Sequence, residues 1–277
     1  MCAPARYRGV VVAVDPQRLD ASALAVGAAL GAALGRCELL SVAPLGARTE
    51  LINAHLARAA HLCGTGDVQG VVVQSDDPST AIIEHVGDDR LLVIGCGATH
   101  PMRLPNAGDV GRSILGTTSQ PVLVVGPGVS TTFDPHAPLI VCAGEDRPPP
   151  LVVTAVERWL GSFDNTDTWV TRVVPTSTDV GRCGARTAEH WTEMLRHNDV
   201  PAQVRILHGG DPTEWLNDFV AQLPNGVYVA SSSRYTDRRR HLHSTTRDLI
   251  RRSRHPVLVV PIRAQEAAQV ARRMSES

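Results

Sequence analysis

Lysine is absent from the chain: all 27 basic residues among its 277 are arginine. A Walker A phosphate loop, a protein-kinase ATP site, a Schiff-base aldolase and a pyridoxal-phosphate enzyme each require a lysine amine, so none of these chemistries fits. Next to abundant Ala, Gly and Val, the exclusive use of arginine reads as a coding bias. Aromatic residues make up only 4%, too few for the stacking surfaces that single-strand nucleic-acid binders use, and no nucleic-acid partner is expected. Long apolar runs are missing as well. The longest, Ala21 to Gly35, falls short of the ~20 residues that cross a bilayer, and the VVVAV segment after Arg6 and Arg8 ends at Asp15 without a cleavage pattern. A cytoplasmic protein with no membrane contact is expected. The six cysteines contain no C-x-x-C pair and lie mostly in apolar runs, which suits buried reduced thiols and excludes a structural zinc site. There is no G-x-S-x-G elbow for a serine nucleophile.

What remains is 43% apolar and 20% charged with a formal net charge of -1, a globular composition, and the length favours two modest domains. The pentapeptide PVLVV occurs twice, at Pro121 to Val125 and at Pro256 to Val260. Its surroundings correspond: LLVIGCGA ending at Ala98 matches VYVASSS ending at Ser233, and Asp77-Pro78 before STAIIEHV matches Asp211-Pro212 before TEWLNDFV. The chain is a tandem duplication. In the first copy, short apolar runs predict strands over Gly9 to Val14, Glu38 to Val42, Gly70 to Gln74, Leu91 to Ile94 and Val122 to Val125, with helices between them. Asp20 is placed to cap a helix over Ala21 to Leu34, whose Ala and Gly residues permit close approach to a sheet. The second copy predicts Leu139 to Ala143, Thr168 to Val174, Gln203 to Leu207, Val227 to Ala230 and Val257 to Val260. Two five-stranded α/β domains result, 1–130 and 131–277, joined by VGPGVSTTFDPHAP, with a short charged tail after Arg263.

Over nearly the whole chain these motifs resemble the universal stress protein family in its tandem, UspA-like form. That family has an early strand ending in a GVDGS-like turn, and a loop G-x2-G-x9-G-[ST] followed thirteen residues after its last glycine by a PVLVV strand. Here Asp15 ends the first strand, and Gly95, Ala98, Gly108 and Asp109 precede Pro121 at the family intervals. Copy two keeps the intervals with Ala230, Ser233, His243 and Ser244. The resemblance implies two tandem doubly wound domains of the adenine nucleotide alpha-hydrolase-like type, with five-stranded parallel sheets related by a pseudo-two-fold axis. It also implies edge-to-edge pairing of their last strands.

The resemblance further implies a stress-response regulator, not an enzyme, that binds ATP or another adenine nucleotide, with Mg2+ only as a companion of the nucleotide. Asp15 would contact the nucleoside. Asp109 stands where the family has Ser or Thr, and a carboxylate at a helix N-terminus repels phosphate; the simpler reading makes Asp109 the cap of a helix over Val110 to Thr118. In copy two, Gly144 replaces Asp15 and all three glycines are lost, yet Ser244 keeps the hydroxyl position. Arg238, Arg239 and Arg240 in its loop could fork onto phosphate, whereas Arg247, Arg251, Arg252 and Arg254 read as a solvated helix face. His241 and His243 have no third ligand and sit beside arginines, so a metal is not expected there. Cys96 is open to oxidation only if exposed. Two functions stay open: a nucleotide sensor that biases a protein partner, and a dimerising scaffold without ligand. Slow ATP hydrolysis has no recognisable base.

Overall fold

A computed structural model of the protein describes residues 6–15, 17–64, 68–96, 108–144, 148–164, 167–174, 178–209, 211–223, 225–233 and 244–262. The first half runs β1 (Val10–Ala13), α1 (Ala21–Leu34), β2 (Cys37–Ala43), α2 (Glu50–Leu62), β3 (Val68–Gln74), α3 (Pro78–Val86), β4 (Leu91–Gly95), α4 (Gly108–Thr117) and β5 (Val122–Val125). The second half repeats the alternation with β6 (Leu139–Cys142), α5 (Pro150–Phe163), β7 (Thr168–Val174), α6 (Thr178–His197), β8 (Gln203–His208), α7 (Pro212–Val220), β9 (Val227–Ser233), α8 (Ser244–Arg252) and β10 (Val257–Ile262).

Helix starts follow from local chemistry. The Asp20 carboxylate accepts a hydrogen bond from the Ala23 amide at 3.0 Å, and α1 ends on Gly35 in the left-handed conformation. Asp77 and Asp211 cap α3 and α7 in the same way, each followed by a proline at the first helical position, where a missing N–H costs nothing. Two strands run two or more residues past their expected ends: β9 reaches Ser233 and β10 reaches Ile262, because their parallel register continues through the Pro261↔Ser232 and Ile262↔Ser233 pairs. The first helix lies so close to the sheet that a Cβ on Gly27 would sit 2.1 Å from Val12 Cγ2, and one on Gly31 would sit 2.4 Å from Cys37 Cβ. Only glycine fits these two positions.

The strands form one sheet in the order β3-β2-β1-β4-β5-β10-β9-β6-β7-β8. All neighbours are parallel except β5 and β10, which meet antiparallel with Leu123 opposite Leu258. The duplicated PVLVV segments therefore satisfy each other's edges, and the two halves are related by a pseudo-two-fold axis through that pair. Alternate strand residues face opposite layers. Val10, Val12, Leu39 and Val141 pack under α1, α2, α5 and α6, while Val11, Leu40, Val124 and Val259 pack under α3, α4, α7 and α8. Additional contacts cross between the halves: the Tyr7 amide donates to Ser162 Oγ at 2.8 Å and the Arg158 guanidinium lies 4.1 Å over the Tyr7 ring. No described helix is long and apolar enough to cross a membrane.

Candidate functional site

Each half has a point where strand order reverses, between β1 and β4 in the first and between β6 and β9 in the second. In open parallel sheets a ligand crevice forms there, beyond the carboxyl ends of the strands. Asp15 and Gly95 lie at this point in the first half, because Ala13 pairs with Ile94 on the adjacent strand. Asp15 is exposed, and its Oδ1 accepts from the Gln17 amide at 2.8 Å, so the carboxylate closes its own turn. Gly95 is enforced from within the fold. A Cβ there would lie 2.4 Å from Oδ2 of Asp20, so the α1 cap also fills the space above the end of β4.

Gly108 and Asp109 are the first two residues of α4. Asp109 therefore stands inside the helix rather than capping it, and the helix begins two residues before the expected Val110. Ser244 is the first residue of α8. Ala98 and the arginines Arg238, Arg239 and Arg240 lie outside the described residues, as do His241 and His243. Cys96 follows β4, and burial, then the charge of Asp20, pushes its thiol up to about 12. It is a neutral thiol at ordinary pH and not an activated nucleophile.

In the second half a cavity of about 320 Å³ opens at the switch point, between the sheet and helices α7 and α8. Cys142, Ala230, Leu216 and Leu249 give it apolar walls, and Thr171, Arg172, Ser231, Thr245 and Thr246 line it with polar groups. Arg172 Nη1 donates to the Ala143 carbonyl at 2.6 Å, which holds the guanidinium over the end of β6. Its Nε is buried and has no partner among the described residues. Thr171 Oγ1 donates to the Val141 carbonyl at 3.2 Å and Thr246 Oγ1 to the Ser231 carbonyl at 3.3 Å. Burial pushes the Cys142 thiol up to about 12, so it brings no charge. Sequence reading passed over Arg172, because TWVTRVV scans as a buried strand. The signal that could have found it is a cation in such a run, where the first copy has Ser41.

No cluster of metal-ligating side chains occurs among the described residues. No protein-family model matches the chain, and no curated protein matches it by sequence. Solved structures do match. A universal stress protein from Archaeoglobus fulgidus superposes with a TM-score of 0.60 at 14% identity, over 92% of this chain and 98% of that one. A functionally unknown protein from Pseudomonas aeruginosa gives 0.59 at 16% identity over 99% of both chains. The cytoplasmic domain of a prokaryotic cation chloride cotransporter gives 0.52 at 10% identity, over 91% of this chain and 95% of that one. At such identities the likeness concerns the fold: a tandem universal-stress-type α/β architecture spanning nearly the whole chain.

Proposed function

We propose that the protein is a universal-stress-type regulator, not a catalyst, whose first half binds an adenine nucleotide weakly through its nucleoside and thereby biases association with a protein partner or a second copy of the chain. The observation that carries this reading is the placement of Asp15 and Gly95 at the carboxyl ends of adjacent strands at the first switch point, with Gly108 and Asp109 opening the helix that follows. Weakness follows from charge. Asp20 lies against Gly95 and Asp109 occupies the first turn of α4, and carboxylates at these places compete with phosphate for the same favourable potential.

Calorimetric titration with ATP, ADP, AMP and cyclic AMP tests the reading. The expected result is weak binding of similar strength for AMP and ATP, lost for every adenine ligand in Asp15→Ala. Asp109→Ser removes a carboxylate and supplies a hydroxyl, so it should tighten ATP more than AMP. A second reading, a ligand-free dimerising scaffold, is favoured by one fact: packing of Asp20 explains Gly95 without any nucleotide. Wild type binding none of the four at millimolar concentration, with Asp109→Ser unchanged, would establish that second reading.

A further inference from the structure

Among the described residues, the two switch points carry opposite charge. Val10 pairs with Cys37 in the first half as Leu139 pairs with Thr168 in the second, which puts the copies in register residue by residue. In that register Asp15 becomes Gly144, the capping Asp20 becomes Pro149 at the start of α5, and the buried Ser41 becomes Arg172. Both carboxylates are gone and a guanidinium has arrived.

We propose that the second-half cavity binds a small organic anion, a carboxylate or phosphate monoester on a compact apolar body, with Arg172 as its anchor. One guanidinium nitrogen is fixed by the Ala143 carbonyl, which leaves the Nε/Nη2 edge, the side that matches two oxygens of a carboxylate or phosphate. A buried N–H without an acceptor costs free energy; Nε has no acceptor among the described residues, and an oxyanion supplies one once a turn of the guanidinium brings Nε to the cavity. Thr245 and Thr246 stand in the first turn of α8, whose dipole favours negative charge, and no carboxylate lines the cavity among the described residues. Leu216, Leu249 and Ala230 receive the apolar part. A volume of about 320 Å³ is roughly ten times the share of one water in the liquid, room for a ring or short chain with one acidic group, but tight for a nucleoside triphosphate. This site is separate from the nucleotide reading of the first half and does not depend on it.

The test uses the full chain with benzoate and phenyl phosphate as the two anionic probes and benzamide as a neutral probe of the same shape. Saturable binding of at least one anion is expected, with benzamide weaker by about tenfold or more, the loss typical of a charge-assisted hydrogen bond. Comparing the two anions tells carboxylate from phosphate. Arg172→Gln should reduce anion affinity by a similar factor, and Arg172→Lys should retain part of it. Equal affinity for benzamide and benzoate, unchanged binding in Arg172→Gln, or no saturable binding of either anion would overturn the proposal. Should Arg172→Gln fail to fold, amide shifts of the wild-type chain decide. Benzoate must perturb Ala143, Thr171, Ser231 and Thr246, and perturbation confined to the Asp15 end overturns the site. Anion binding that emerges only when Glu145 and Asp146 are replaced by Gln and Asn would show the guanidinium already paired within the chain, and would overturn it too.

Discussion

Glu38 is held at 3% exposure on β2, one strand in from the edge of the sheet, and its carboxylate meets three bases: Arg90 Nη1 at 3.3 Å, Arg36 Nη2 at 3.5 Å and His85 Nε2. The second copy solves the same place differently. In the register of the repeat Glu38 becomes Trp169 and His85 becomes Phe219, and these two rings pack edge to face with centroids 5.8 Å apart. One half thus keeps a buried ion network where the other keeps an aromatic pair, two arrangements of comparable worth when each is complete. Breaking one partner is a different matter. Glu38→Leu strands Arg90 and His85, and should destabilise the protein by about 3 kcal/mol. The double change Glu38→Leu with His85→Leu should cost less than the two single changes together, by roughly 1 to 3 kcal/mol of coupling. Urea unfolding of the four proteins measures this; additive costs would show that the contact carries no energy of its own.

At the scale of elements, α3 shows how a cap ties a helix to pH. Hydrogen bonds from the Ser79 and Thr80 hydroxyls, then from the backbone amides at Thr80 and Ser79, hold the Asp77 carboxyl down at about 2, against an ordinary 3.8. The folded value lies below the unfolded one, so the carboxylate's contribution is complete above about pH 4 and is lost as pH falls towards about 2. Asp77→Asn keeps an acceptor at the helix start but cannot titrate, so it should flatten the acid limb of the stability curve between those values. Unfolding midpoints measured across that range check the difference. Capping of this kind was legible at Asp20 before Ala21 because the chemistry is local; Asp77 and Asp211 stood out only as matching positions of the repeat, and the structure shows them to be caps. The strands were legible through their short β-branched runs and the duplication through the repeated PVLVV, whereas the joining of the halves came from the family resemblance. The candidate site was legible only where it depends on position along the chain, as for Asp15 and Gly95. That Asp20 fills the space over Gly95, and that Arg172 reaches the end of β6, arise from contacts between neighbouring strands and helices, which spacing does not encode.

At the scale of the whole molecule, the sheet is continuous only because β5 and β10 meet. Both strands are almost wholly buried, and their three antiparallel pairs, Val124 with Val257, Leu123 with Leu258 and Val122 with Val259, join two parallel sheets. Separating the halves would leave each with an apolar edge strand and a row of unpaired backbone groups, a template for pairing with another copy. Residues 1–130 and 131–277 made separately should each show mixed α/β circular dichroism and self-associate in sedimentation, β5 on β5 in one case and β10 on β10 in the other. Mixed together they should prefer each other. Only the native pairing restores the Tyr7 amide to Ser162 and the Arg158 guanidinium to the Tyr7 ring, and these contacts add to what the strand edge supplies to either homodimer. Arg158→Ala in the second fragment should then weaken the mixed complex and leave that fragment's self-association unchanged, since the cation rests on a ring of the other half. Two folded fragments that stay monomeric would show that the open strand edge does not drive association, and one that is unfolded or all-β would mean that the halves are not autonomous units and that the sheet folds only as a whole.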